Sequence, residues 1–499
     1  MKASMRLKKA LCLLLAVGLL CAAVPVGAHA ARSSNDIPRI GLPGIGAPLR
    51  INAGTPDEAE IGVVDTEALT GQILPILGDI SAAVALCSWD KAADAFVKLA
   101  WALFAKMQVD VNGKSVYPIS AAPCPDPYES DHFDFQYDWR LDPWESAGQL
   151  HAYIQEVKKA TGQSQVALLA HSEGNLVVMA YFARYGYADI HDYIASMSAH
   201  NGLTMVGELF NRNIELNSGV ALEFLRSFGN ASGKGAMELM APAADLLQTT
   251  GIAEWLIGML ATLLEHVQGR VFDEALVPLL VQWPALWGFV PHEYYESAKK
   301  SLLSDAKYSN FKKIIDNMHY KAGAGYKADT LIKDAVDAGV RVSIIAAYGF
   351  PTQPFAAHSD IDADGLIDTS RSSSGATTPG VFRTFPAGYQ QKVKDGHNHL
   401  SPDGKIDAST CLLPEQTWFI RGQLHFTGNT GALRDAILAT PGNPTIRSVK
   451  GYPQFLTAVA DGVFEPNQPV PAASRPTLLG STWRFNKALG KVIWESITG

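Results

Sequence analysis

Cysteine is scarce in this chain, with five residues in 499, so a disulfide-dense small scaffold is excluded. Charge is sparse as well: Asp, Glu, Lys and Arg make up 18 %, and the 41 basic residues are outnumbered by 49 acidic ones. No internal repeat, low-complexity tract or glycine periodicity is present, which rules out solenoids, collagen and long disordered linkers. Beyond the first thirty residues there is no uninterrupted apolar run long enough to span a bilayer. What is there is ordinary globular composition, 47 % apolar, over a length that suits one large domain with an insertion or a few smaller ones.

The N-terminus differs from the rest. Residues 1–30 hold Lys2, Arg6, Lys8 and Lys9 but no acidic residue, then an apolar stretch from Ala10 to Val26, then Ala28-His29-Ala30. A basic start, an apolar middle and a small-residue end read as a secretory signal cleaved after Ala30. Pro25 and the absence of a basic stop-transfer cluster argue against a transmembrane anchor. A secreted, extracellular protein is expected. Its remaining 37 basic and 49 acidic residues give a charge of −12, which repels phosphate backbones, so no nucleic-acid partner is expected. Cys87, Cys124 and Cys411 remain after export. Oxidising surroundings would favour a Cys87–Cys124 disulfide, worth about 3–4 kcal/mol in a chain-entropy model, and leave Cys411 a buried thiol.

Periodicity gives the fold class. Fully apolar runs of strand length occur at Gln165–Ala170, Tyr193–Ser198, Arg341–Tyr348 and Thr417–Ile420, and an earlier short one at Ile37–Leu42. Helical spacing covers 66–108, Pro143–Thr161 (ended by Gly162) and Gly174–Tyr185. Strands alternating with helices predict an α/β protein with a mostly parallel sheet, in which residues 31–499 form one domain. A helical cap or lid insertion is expected at about 203–335, between late strands. That cap holds Trp255, Trp283 and Trp287, more aromatic surface than one cap helix needs, and an acyl chain could cover the surplus at about 0.8 kcal/mol per buried CH₂.

The sharpest motif is Ala170-His171-Ser172-Glu173-Gly174-Asn175, set between an apolar strand and a helix. A nucleophile elbow needs small residues two before and two after the serine, because the turn brings neighbouring backbone too close for larger side chains. Ser172 is therefore the candidate nucleophile, with Ala170 where glycine is usual. The oxyanion donors expected are the amide of Glu173 and one from the Gly-rich turn Pro43-Gly44-Ile45-Gly46. The Glu173 carboxylate is expected to face solvent. His425, on the loop after the last apolar strand, is the candidate base, whereas His397 and His399 precede that strand. The acid is Asp403, in Asp403-Gly-Lys-Ile, or alternatively Asp364, in Asp364-Gly-Leu-Ile.

Asp360, Asp362, Asp364 and Asp368 also carry the alternate-oxygen spacing of a calcium loop, although Arg371 stands where the bidentate Glu of an EF-hand belongs. Calcium is thus a candidate structural ion, and no other cofactor is required. His397 and His399 offer imidazoles that Asp403 or Asp407 could complete as a metal site, but loop hydrogen bonding is the plainer reading.

Phe135-Gln-Tyr-Asp-Trp-Arg-Leu-Asp-Pro143, a helix, and then Ala170–Asn175 together resemble the lecithin–cholesterol acyltransferase and lysosomal phospholipase family. Leu42-Pro43-Gly44 is similar to that family's oxyanion loop, and Tyr348-Gly349 with Pro351-Thr352 to its seventh-strand segment. The resemblance implies Ser172 as nucleophile, the Ile45 and Glu173 amides as oxyanion hole, a lid loop closed by Cys87 and Cys124, and an acid nearer in wording to Asp364. It implies an α/β-hydrolase fold with a helical cap, and an enzyme that cleaves or transfers acyl groups of lipid esters. The expectation is a secreted lipase or esterase with transient contact to a lipid interface. Its rivals are a non-catalytic calcium-dependent binding module on the same scaffold and a peptidase of the same fold.

Overall fold

Apolar runs that bury both faces can only be satisfied in the middle of a sheet, and in the computed structural model they pair side by side. The structure describes residues 37–62, 74–130, 132–232, 240–250, 252–426 and 429–469, with 485, 487 and 488. The export signal read in residues 1–30 lies outside the described residues. The eight strands are β1 (Arg39–Leu42), β2 (Phe133–Asp134), β3 (Val166–His171), β4 (Ile190–Ser196), β5 (Arg341–Tyr348), β6 (Thr417–Arg421), β7 (Phe455–Ala460) and β8 (Val463–Pro466). Their order across the sheet is β8-β7-β6-β5-β4-β3-β1-β2. Every pair is parallel except β7 with β8. The chain runs from β1 outward to β2, then crosses to β3 on the other side of β1. Such a reversal of strand order opens a crevice at the carboxyl ends of β1 and β3.

Alternation within the strands feeds two cores. Tyr193 and Ala195 of β4 pack with Leu150, Ile154 and Val157 of helix α3 (Pro143–Thr161, following helices α1, Leu74–Ala85, and α2, Trp89–Phe104) and with Val177 and Tyr181 of α4 (Gly174–Tyr185). Ile194, between them in sequence, instead joins Ile345, Trp418 and Ile420 with Leu433 and Ile437 of α5 (Gly431–Ala439). Helix α3 is bounded by chemistry visible in the sequence. Asp142 accepts from the Trp144 amide (3.0 Å), Pro143 opens the first turn, and Gly162 leaves it at φ +69°.

Strand β4 starts three residues before the apolar run suggested, at Ile190. The polar residue that hides this start, Asp192, is buried and paired with the Arg341 guanidinium of β5 (3.1 Å). The helical run expected over 66–108 is, in its described part, two helices parted at Cys87, whose φ is +50°. A small sheet of Leu49–Ile51, Ala59–Ile61 and Ile119–Ala121 and the last two strands, β7 and β8, had no apolar signature strong enough to reveal them.

Between β4 and β5 the described chain is mostly helical, from Thr204–Phe210 to Ala328–Asp337. Ile252–Val271 packs onto α2, where Leu263 and Val267 meet Ala92 and Ala93 in a small core of their own. Of the three cap tryptophans, the side chain of Trp255 lies outside the described residues, and Trp283 and Trp287 pack within the protein. Trp283 stacks edge-on against Trp139 (5.4 Å) and Trp287 against Phe210 (5.0 Å), and both are buried in the main core. Among the described residues no helix is long and apolar enough to cross a membrane.

The expected disulfide is corrected by the structure. Cys87, Cys124 and Cys411 are all free. Cys87 is exposed, while Cys124 is turned toward the backbone of Gln136, whose N–H donates to its Sγ (3.2 Å). Spacing alone cannot report which way two side chains point. Denaturing the unreduced protein should therefore expose all three of these thiols to Ellman's reagent, and dithiothreitol should leave Tm unchanged. A reductant-dependent fall of several degrees would reveal a link between Cys87 and Cys124.

Candidate active site

Strand β3 ends at His171 and α4 begins at Gly174, so two residues turn the chain. Ser172 takes the whole strain of that turn, at φ +53°, a region that costs a residue with a side chain of order 1–3 kcal/mol. Surrounding hydrogen bonds hold it there. The Ser172 amide donates to Ser196 O (3.1 Å), and Ser172 O accepts from the Asn175 side-chain amide (2.9 Å) and Ala199 N (3.3 Å). Tyr193 Oη donates to Asn175 Oδ1 (2.8 Å), fixing that amide. A methyl on Gly174 would lie 2.5 Å from Leu42 O, and one on Gly44 would lie 2.6 Å from Ser172 Cβ. Neither position has room for a side chain, so backbone of the β1 loop lies directly on the serine.

Ser172 Oγ is 2.8 Å from His425 Nε2, and His425 Nδ1 is 2.7 Å from Asp364 Oδ2. All three side chains are buried. His425 N also donates to Asp364 O (2.9 Å). The other carboxylate oxygen of Asp364 accepts from Ile367 N (2.7 Å) and Leu366 N (3.0 Å). An acid whose remaining lone pairs are occupied this way fixes the imidazole with its proton on Nδ1 and a lone pair on Nε2 toward the hydroxyl.

The loop Pro43–Gly46 is braced from outside by the aromatic run after β2. Tyr137 Oη donates to Pro43 O (2.6 Å) and Trp139 Nε1 to Ala47 O (2.9 Å), one anchor on each side of Gly44-Ile45-Gly46. Arg140, fully buried, grips Asp138 through two bonds (2.6 and 2.9 Å) and holds the run in place. Among the described residues the backbone N–H groups of Ile45 and Glu173 donate to no protein acceptor, which leaves both free for a ligand.

Two features here were not legible beforehand. Glu173 does not face solvent. It is 1 % exposed, and neither carboxylate oxygen has a hydrogen-bond partner among the described residues. Burial, aided by the Asp138 charge, raises its pKa well above the usual carboxyl value. His171 is stacked near His425 (5.0 Å between rings), and burial together with the His425 and Arg434 charges lowers its pKa well below 6.5, keeping it neutral. Only its position inside the motif hinted at this.

The remaining candidates are dispersed. Asp403 does not approach His425: its carboxylate takes Tyr348 Oη (2.9 Å), Ser401 Oγ (2.6 Å) and Asn467 Nδ2 (3.3 Å). It has the same Asp-Gly-x-Ile wording as Asp364, but its turn folds back onto the ends of β5 and β8. The calcium-loop carboxylates diverge as well. Asp360 pairs with Arg383 (3.2 Å), Asp362 accepts from Gly349 N (2.6 Å), Asp364 serves His425, and Asp368 accepts from Thr204 N (2.9 Å). Each faces a different partner, and among the described residues the four gather into no common group that could hold a cation. His397 and His399 meet Asp395 and Glu415 rather than Asp403 or Asp407.

A mostly parallel sheet flanked by helices, with an elbow serine at the strand-order reversal, defines an α/β fold that carries a serine–histidine–aspartate constellation. Residues 127–207, which hold the Tyr137–Arg140 run and the elbow, match the family model of lecithin:cholesterol acyltransferase, in agreement with the resemblance read from those motifs. No curated protein matches the sequence. Among solved structures, a chain of one described as "The crystal structure of Tle4-Tli4 complex" is 14 % identical, with 92 % of this chain and 98 % of that chain covered, at a TM-score of 0.26.

Glu173 yields a signed pH prediction. The folded chain keeps a proton that the unfolded chain releases above about pH 4.5, so stability falls as pH rises from that value until the folded carboxyl also ionises. Glu173→Gln removes this loss. Its Tm should exceed the parent's by several degrees near pH 8, with the gap closing toward pH 4. Parallel Tm–pH curves would mean that the carboxyl is ionised and solvated.

Proposed function

We propose that this chain is an exported serine hydrolase that cleaves lipid-like carboxylic esters through an acyl-enzyme. The observation that carries the reading is the Ser172 Oγ to His425 Nε2 separation of 2.8 Å, backed by Asp364. In this mechanism His425 takes the Ser172 proton as Oγ attacks the ester carbonyl, and the carbonyl oxygen becomes an anion held by the Ile45 and Glu173 amides. Nε2–H then protonates the leaving alkoxide. A water, deprotonated by the same nitrogen, releases the acid and restores Ser172. Asp364 accepts from Nδ1–H and stabilises the imidazolium formed at each step. A protonated Glu173 suits this site, because a carboxylate beside the developing oxyanion would oppose it.

Lipid esters are favoured as substrates by the family match over 127–207. The basic and apolar start of the chain supports export.

The test is hydrolysis of p-nitrophenyl esters of graded acyl length, with fluorophosphonate labelling. Ser172→Ala should abolish labelling and lower kcat by at least about 10³-fold; unchanged turnover would end the proposal, and an unlabelled parent protein would point to a dead scaffold. The two aspartates separate cleanly. Asp364→Asn should lower kcat by about 10⁴-fold with the fold intact, whereas Asp403→Asn should leave kcat within a few-fold and lower Tm. The reverse pattern would transfer the acid role to Asp403.

A further inference from the structure

A second group of reactive side chains lies apart from Ser172. Asp395, His397, His399 and Glu415 each present one donor atom, and the four atoms lie within 4.8 Å of one another. Among the described residues no other group of this kind forms. His397 and His399 belong to the irregular chain that follows Asp364, while Glu415 sits in a single helical turn, Pro414–Gln416, that leads directly into β6.

Hydrogen bonding around His399 decides which of its nitrogens carries the proton. The Gln454 side-chain amide nitrogen donates to Pro414 O (2.7 Å) and Thr417 O (3.1 Å), so its oxygen must face the ring, and it lies 2.9 Å from His399 Nδ1. A neutral His399 therefore bears its proton on Nδ1 and a bare lone pair on Nε2. That lone pair is aimed at Asp395 Oδ2 (2.8 Å) and Glu415 Oε1 (3.5 Å), inside a fully buried side chain. A lone pair facing two carboxylates is repulsive unless a proton or a metal ion lies between them. An imidazole fixed by an outer hydrogen bond on one nitrogen and open on the other is how metal-bound histidines are held.

Glu415 Oε1 and His397 Nδ1 make the second observation. They are 2.8 Å apart and closed off from solvent, yet neither has an aligned hydrogen-bond partner. Separations of 2.8 to 4.8 Å bracket the roughly 3.3 Å between neighbouring donors of a tetrahedral ion with ~2.0–2.1 Å bonds. Two imidazoles and two carboxylates suit Zn²⁺, whereas calcium prefers six to eight oxygens. Arg447 must adjust. It lies on His397 Nε2, which becomes an N–H when Nδ1 binds metal, and it also holds Glu415 Oε2 (2.8 Å). Its side chain is 56 % exposed, so it can leave the ring and keep the carboxylate.

We propose that Asp395, His397, His399 and Glu415 form a structural zinc site that ties the irregular chain before β6 to the start of that strand. The full protein, freed of any histidine tag and stripped with chelator, should take up about one equivalent of Zn²⁺ by elemental analysis after desalting, and its Tm should rise by roughly 5 °C. The double variant Asp395→Asn/His397→Gln should keep the circular dichroism of the stripped parent but lose both the bound equivalent and the zinc-dependent rise over its own stripped form. A stripped parent that gains neither, or a variant that binds zinc as the parent does, overturns the proposal, and the cluster is then an ion pair on a His399 imidazolium. Ester hydrolysis is not a readout here, so this result stands apart from that of the catalytic reading.

Discussion

Two stretches of backbone, Leu42–Gly44 from the first strand and Ser172–Gly174 from the third, lie against one another without a side chain between them. A methyl at Gly44 or at Gly174 would fall within 2.6 Å of the facing chain. This approach sets the backbone at Gly44 against the side chain of Ser172 and the amide of Glu173. It follows from strand order, because β1 and β3 are neighbours in the sheet and end at the same side. Sequence-distant loops are thereby held at atomic contact by the stiffest part of the molecule, which is how a site gains geometry that loops alone do not keep.

The aromatic run after β2 has its meaning in the same place. Tyr137 and Trp139 hold the carbonyls on either side of the glycine turn, and Arg140 with Asp138 anchors the run. A buried ion pair contributes little net stability, since desolvation offsets much of its Coulomb energy. Here its use is positional: it keeps two ring hydrogen bonds aimed at a loop that has few apolar contacts of its own. The run therefore belongs with the serine turn as one unit, although some thirty residues of helix and strand separate them in sequence.

The readable parts of this chain were those whose signal is local. Buried strands β3, β5 and β6, the ends of α3, the elbow around Ser172 and the loop histidine at 425 each carry their pattern within a few residues. The acid was not readable in that way. Asp364 and Asp403 share the same Asp-Gly-x-Ile surroundings, and only the path of a long irregular chain decides which turn reaches His425. The disulfide failed for the same reason, because the directions of Cys87 and Cys124 depend on packing that neither neighbourhood encodes. Asp192 misled in the opposite sense: a charged residue inside a strand looks like a loop until its partner Arg341 is found on the next strand.

The two outer strands differ from the inner ones in a way that matters for how many copies can crowd together. On one side β2 has only two residues, and on the other β8 runs antiparallel and carries Glu465 and Pro466 at its end. A short rim and a rim interrupted by a charge and an imino acid give a neighbouring polypeptide little open ladder to extend. The sheet can thus be apolar through its middle without becoming a seed for fibrils.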